Sequence, residues 1–129
     1  MTVSTGPFAA FAGEHYLSLE TMRRDGTGVR TPVWFAADGA GRLYIYSRAD
    51  AGKVKRIRLH GAVRIAPCTM RGRVTGDWTN TRATIVTGAA FDTGMRLLDL
   101  KYWPWKMIGD FSTRLFARPN RAVIAITMT

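Results

Sequence analysis

The chain has 129 residues, 47% of them hydrophobic, and carries 19 Lys and Arg against nine Asp and Glu, a formal net charge of +10. That length suits a single domain over residues 1–129 with a buried core, and the excess of cations calls for an anionic partner: a phosphorylated cofactor, a nucleic acid or an acidic surface. One cysteine and two histidines exclude an internal disulfide framework and a structural zinc site.

From the N-terminus, Phe8 to Ala12 is the only apolar run, with no basic residue ahead of it, so neither a signal peptide nor a membrane span is expected and a cytoplasmic location follows. Tyr16 to Arg24 alternates, with Leu17, Leu19 and Thr21 on one face and Ser18, Glu20 and Met22 on the other, which predicts a strand ending in a turn at Arg24-Asp25-Gly26. Val29 to Ala37 and Leu43 to Ser47 complete a three-stranded meander, with Pro32 placed at an edge or bulge because it cannot donate to a ladder. A helix from about Gly52 to Leu59 points Val54, Ile57 and the stem of Arg58 inward. Strands follow at Ala62 to Met70 and Asn80 to Thr87. Met95, Leu98 and Tyr102, widened by Leu97 and Leu100, then make a helical stripe over Asp92 to Trp103 that Pro104 stops. A further helix over Trp105 to Phe116 and a last strand over Ala122 to Met128 close the chain. Short antiparallel strands in this order predict an α+β fold, a small barrel with helices on its outside.

The most specific stretch joins the strand Arg42-Leu43-Tyr44-Ile45-Tyr46-Ser47-Arg48 to Gly52-Lys53-Val54-Lys55-Arg56-Ile57-Arg58. A hydroxyl and a guanidinium at a strand end face a helix N-terminus rich in cations, a pattern suited to a phosphate. A solvated helix face has the same composition, so the run alone leaves both readings open.

Three chemistries compete for the rest. Nucleophilic catalysis by Cys68 or a serine with His15 or His60 lacks an elbow or a base at useful spacing. Nucleic-acid binding has seven cations between Lys53 and Arg73, no acid between Asp50 and Asp77, and Tyr44, Tyr46 and Trp78 to stack bases, but no recognition motif accompanies them. A flat, phosphate-bearing redox cofactor accounts for the charge, the turn and the flanking strands together.

The segments Thr31-Pro32-Val33-Trp34-Phe35, Leu43-Tyr44-Ile45-Tyr46, Ala51-Gly52-Lys53-Val54-Lys55-Arg56-Ile57-Arg58, Val63-Arg64-Ile65-Ala66-Pro67-Cys68 and Arg71-Gly72-Arg73-Val74-Thr75-Gly76-Asp77-Trp78 resemble the pyridoxamine-5′-phosphate-oxidase-like superfamily, and within it the small branch dependent on coenzyme F420. The resemblance extends through Lys101-Tyr102 to the closing strand. The chain departs from the branch at Val74 and Asp77, where the branch has proline, and at Trp103, where it has glycine.

The resemblance implies a split β-barrel of about six antiparallel strands with outer helices, a homodimer, and a cofactor in the groove between subunits. It assigns phosphate binding to Lys53, with Val54, Lys55 and Arg56 beside it and Ser47 and Arg48 at the strand end. It assigns the ring-lining strand to Arg30, Thr31, Pro32, Val33 and Trp34, and a loop approaching the partner's site to Trp78. No catalytic side chain and no metal site is assigned, so the chemistry falls to the cofactor. The implied activity is an oxidoreductase passing a hydride from reduced F420 to a conjugated small-molecule acceptor. The alternatives are an FMN-dependent oxidoreductase or a non-enzymatic flavin- or deazaflavin-binding protein, with no nucleic-acid partner.

Overall fold

The computed structural model describes residues 8–108 and 120–128, with side chains described for 8–102 and 120–128. A short 3-10 turn at Ala9–Phe11 precedes β1 (Leu17–Met22), β2 (Gly28–Val33), β3 (Phe35–Ala37), β4 (Arg42–Arg48), α1 (Gly52–Leu59), β5 (Ala62–Pro67), β6 (Thr79–Val86), α2 (Gly88–Ile108) and β7 (Arg121–Met128). The strands form one antiparallel sheet in the order β2-β1-β5-β6-β7-β4-β3. The fold is thus α+β, a curled sheet with helices outside it.

The expected strand Val29 to Ala37 is divided at Trp34, which makes seven strands where six were predicted. Its first half pairs with β1, Leu17 opposite Val33, and its second half with β4, Phe35 opposite Ile45. These halves are the two outer strands of the sheet. The predicted meander is therefore realised in two pieces, and the break curls the sheet back on itself. Across the gap the Tyr46 N–H donates to the Trp34 carbonyl at 3.4 Å. Pro32, opposite Ser18, lies on the outer strand β2, where its missing N–H costs no ladder bond.

Alternation decides which side each residue serves. Leu17, Leu19, Leu43, Ile45, Ile65, Ile124 and Ile126 fill the interior, and α1 adds Val54 and Ile57 to that cluster. On the outer face Tyr44, Tyr46, Val123 and Ala125 pack beneath Met95, Leu98 and Tyr102 of α2. The helix comes so close that a Cβ on Gly94 would lie 2.7 Å from a Val123 methyl and 2.8 Å from the Tyr44 ring, so only glycine permits this approach. Arg58 is exposed and Leu100 is 70% exposed, so neither belongs to the core-facing stripes expected of them.

α2 begins at Gly88 and continues through Pro104 to Ile108, whereas the sequence predicts a helix from Asp92 that stops at the proline. Proline removes one helical hydrogen bond and restricts the residue before it. That local cost competes with the packing of the preceding turns, which bury Leu98 and Tyr102 fully. The 109–116 portion of the second predicted helix and the side chains of Trp103 and Trp105 lie outside the described residues. β5 ends at Pro67 instead of Met70, because Thr69 to Arg73 turns back through Thr69 N–H to the Arg73 carbonyl at 2.9 Å.

Candidate functional site

A cavity of about 480 Å³ opens where the Trp34 break, the end of β4 and the start of α1 meet. Tyr16, Pro32, Val33, Trp34, Tyr46 and Met70 form its apolar and aromatic part, while Ser47, Arg48 and Lys53 supply its polar part. One element positions each group. The split between β2 and β3 turns Trp34 toward the cavity, and strand alternation would otherwise give it an ordinary sheet position. Its indole stacks on Tyr102 with centroids 4.5 Å apart and planes 7° apart. The Tyr102 hydroxyl donates to the His15 carbonyl at 2.6 Å, accepts the Phe35 N–H at 3.1 Å and lies 3.0 Å from the Phe35 carbonyl. Burial pushes the Tyr102 phenol well above its ordinary value, so it remains a neutral hydroxyl.

At the polar end, Ser47 is buried and donates to the Arg48 carbonyl at 3.1 Å, while Arg48 pairs with Asp50 at 3.0 Å on the surface. Lys53 sits in the first turn of α1, half-buried, and no acidic side chain pairs with it among the described residues. Burial, and then the neighbouring Arg56 guanidinium, lower its pKa from the ordinary lysine value. The Arg56 guanidinium folds back toward the helix start: it would lie 2.7 Å from a Cβ on Gly52, and its Nε donates to Thr21 Oγ1 at 2.6 Å. The cap residue Ala51 offers no side-chain acceptor and the first turn carries no acid. Lys53 thus sits at the positive end of α1 with no counterion among the described residues, an arrangement that an anion stabilises.

The sequence-assigned residues fall into two groups. Pro32, Val33, Trp34, Ser47, Arg48 and Lys53 come together around this cavity. Arg30, Thr31, Val54, Lys55, Arg56 and Trp78 lie outside its lining. Val54 is fully buried among the barrel side chains, and Lys55 is exposed on the opposite side of its turn. Arg30 and Arg64 grip the buried carboxylate of Glu20 at 2.8 and 2.6 Å and both reach the Trp78 ring, at 4.6 and 5.0 Å from its centroid. Trp78 therefore covers an ion pair on the outer face of β1 and β5. The Thr31 Oγ1 is buried without a hydrogen-bond partner.

Tyr16 and Met70 are cavity residues that the sequence does not single out, and Tyr46, read there as a stacking ring, lines the cavity as well. Tyr46 had a partial signal, since it shares a strand face with Tyr44 and directly precedes Ser47. Met70, 65% exposed in a glycine turn, has the only other local mark, a large apolar residue where a polar one is usual. A second cavity of about 640 Å³ lies at the β1–β2 hairpin, lined by Met22, Arg23, Arg24, Gly26, Arg56, Leu59 and His60. It has no aromatic wall to receive a flat ring.

No helix among the described residues is long and apolar enough to cross a membrane, and they contain no cluster of metal-ligating side chains.

No protein-family model matches this sequence, and no curated protein does. Solved structures do match it in shape. A candidate pyridoxamine 5′-phosphate oxidase from Listeria innocua is 18% identical with a TM-score of 0.66, over 93% of this chain and 88% of that one. The heme storage protein HutZ from Vibrio cholerae is 10% identical with a TM-score of 0.69, over 91% and 83% of the two chains. A candidate 5-nitroimidazole antibiotic resistance protein from Bacteroides thetaiotaomicron is 9% identical with a TM-score of 0.67, over 93% and 76%. At these identities the likeness establishes architecture alone: the curled seven-stranded sheet with its helices outside has the split-barrel fold of these structures.

Proposed function

We propose that the cavity beside α1 holds a flavin-type cofactor, reduced coenzyme F420 with FMN as the alternative, and that the protein is an oxidoreductase acting on a conjugated small-molecule acceptor. The observation that carries this reading is the polarity of the one cavity: aromatic and aliphatic walls from Trp34, Tyr46, Val33 and Met70 at one end, and Lys53, Arg48 and Ser47 beside a helix N-terminus at the other. An isoalloxazine-like ring suits the first and a phosphate the second. When bound, such a cofactor supplies hydride transfer itself. The chain's residues bind and orient it: Lys53 and Arg48 neutralise the phosphate, Trp34 bears on the ring system from a position held by Tyr102, and Met70 and Tyr16 keep water from the ring.

The net charge of +10 leans toward F420, whose phosphodiester and polyglutamate tail carry more negative charge than the single phosphate of FMN. In this reading two copies of the chain pair so that the groove between them completes the site. Separate titration with FMN and with F420, followed by fluorescence, tests the reading. Saturable binding of one, with catalytic oxidation of its reduced form by quinone or enone acceptors, is the expected result. Binding without turnover would make the protein a carrier, and affinity for neither cofactor would overturn the proposal. The affinity should change little between about 50 and 200 mM salt, the range over which polynucleotide binding collapses.

A further inference from the structure

On the other side of the Trp34–Phe35 break lies a separate cavity of about 250 Å³, walled by Phe8, Phe11, Phe35 and Leu43 and rimmed by Ala37. Its aromatic wall is ordered edge to face: Phe8 meets Phe11 at 6.3 Å and 69°, and Phe11 meets Phe35 at 6.1 Å and 81°. Interlocked rings of this kind hold a fixed shape. One charged residue lines the cavity, Lys101 of α2. Its ammonium is held in place, donating to the Phe35 carbonyl at 2.8 Å and lying 3.5 Å from the Phe35 ring centroid. No carboxylate among the described residues forms an ion pair with it.

We propose that this cup is a second ligand site, distinct from the cofactor cavity, that takes a small aromatic monocarboxylate of the size of benzoate. The Phe35 carbonyl and ring, with the Tyr102 ring at 5.3 Å, stabilise an ammonium only in part, so the position retains positive charge that a carboxylate would neutralise through a charge-assisted hydrogen bond. The volume admits a single ring, which would lie against the parts of Phe8, Phe11 and Phe35 that the core leaves uncovered. Burial lowers the Lys101 pKa to about 8, offset in part by attraction to the Glu14 carboxylate, and a bound anion would reverse that shift. Because Phe35 follows Trp34 directly and faces the opposite way, the two cavities share one stretch of backbone without sharing a lining residue.

Calorimetric titration of the full chain with benzoate and with benzyl alcohol, which has the ring without the charge, tests the site. Benzoate is expected to bind saturably and at least about tenfold more tightly than the alcohol, the effect of one lost charge-assisted contact. Lys101→Met should remove that preference and Lys101→Arg should keep most of it. Should Lys101→Met fail to fold, Ala37→Trp blocks the exposed rim without touching the lysine, and it should abolish benzoate binding while FMN or F420 titrates as before. Equal affinity for acid and alcohol, benzoate binding that survives both Lys101→Met and Ala37→Trp, or no saturable benzoate binding in the millimolar range would each overturn the proposal.

Discussion

The Trp34 indole and the Tyr102 phenol lie face to face, 4.5 Å between centroids, and this stack ties the aromatic wall of the cavity to the helix outside the barrel. Trp34 belongs to the break between strands, where its carbonyl still accepts the Tyr46 N–H, and the orientation of its indole depends on what packs behind it. Tyr102 is 1% exposed, and its hydroxyl meets three backbone groups, from Phe35 and His15.

Replacement of Tyr102 by Phe preserves the stack and removes the hydroxyl. The buried Phe35 N–H then loses its partner, which should cost about 1–3 kcal/mol of stability. Urea denaturation followed by tryptophan fluorescence measures this directly. A loss near zero would mean that water or a backbone shift replaces the hydroxyl.

Lys53→Ala should weaken FMN or F420 binding by about 1.5–3 kcal/mol, the value of a hydrogen bond to a charged group, while leaving the melting temperature close to that of the parent. Lys55→Ala, which removes an exposed cation two positions along the same helix, should leave affinity nearly unchanged. Calorimetry on the pair separates a specific contact from bulk charge. Equal losses in both would assign the effect to the general field of the protein.

Thr31→Val probes the unpartnered hydroxyl on β2. An orphaned buried oxygen is unfavourable, so the valine variant should be as stable as the parent or more so in thermal melts. If the hydroxyl is kept for the cofactor, affinity should fall by about 0.5–1.5 kcal/mol in the same variant. Unchanged affinity would remove Thr31 from the site.

Glu20 makes stability depend on acid. Its hydrogen bond from Arg64 holds the carboxyl below its ordinary value of 4.5 against the opposing effect of burial, with Arg30 reinforcing it. A carboxyl with a depressed folded pKa contributes stability that is present above its unfolded value and lost as pH falls through the folded one. The melting temperature should therefore drop as pH falls below about 4.5, and Glu20→Gln should be less stable at neutral pH with a flatter acid limb. A melting temperature in the variant that tracks the parent across the acid range would show that the two arginines act independently of Glu20.

Local chemistry was legible in the sequence wherever the chain's neighbours in sequence are also its neighbours in space. The alternation of Leu17, Leu19 and Thr21, the Asp25-Gly26 turn with its φ of 88° at Gly26, the helix at Gly52 with Val54 and Ile57 inward, and the Met95, Leu98, Tyr102 stripe all follow from periods of two and of about 3.6 residues. The segments from Thr31 to Phe35, Leu43 to Tyr46 and Ala51 to Arg58 carried a resemblance that named the split-barrel architecture. What tertiary structure alone decided is where long-range contact outweighs local preference. Pro104 stays within α2, contrary to its propensity. A segment that reads as one strand breaks at Trp34 because its two halves have different partners, β1 and β4, on opposite margins of the sheet. Tyr16, Met70 and Lys53 share no periodicity, and only the closure of the barrel brings them to one cavity. Arg56 and Trp78, which the resemblance assigned to the cofactor, make contacts that no local period announces, to Thr21 and to the Arg30 and Arg64 guanidinium groups that hold Glu20. A long side chain goes to the acceptor or ring within its reach, and that distance is fixed by the fold.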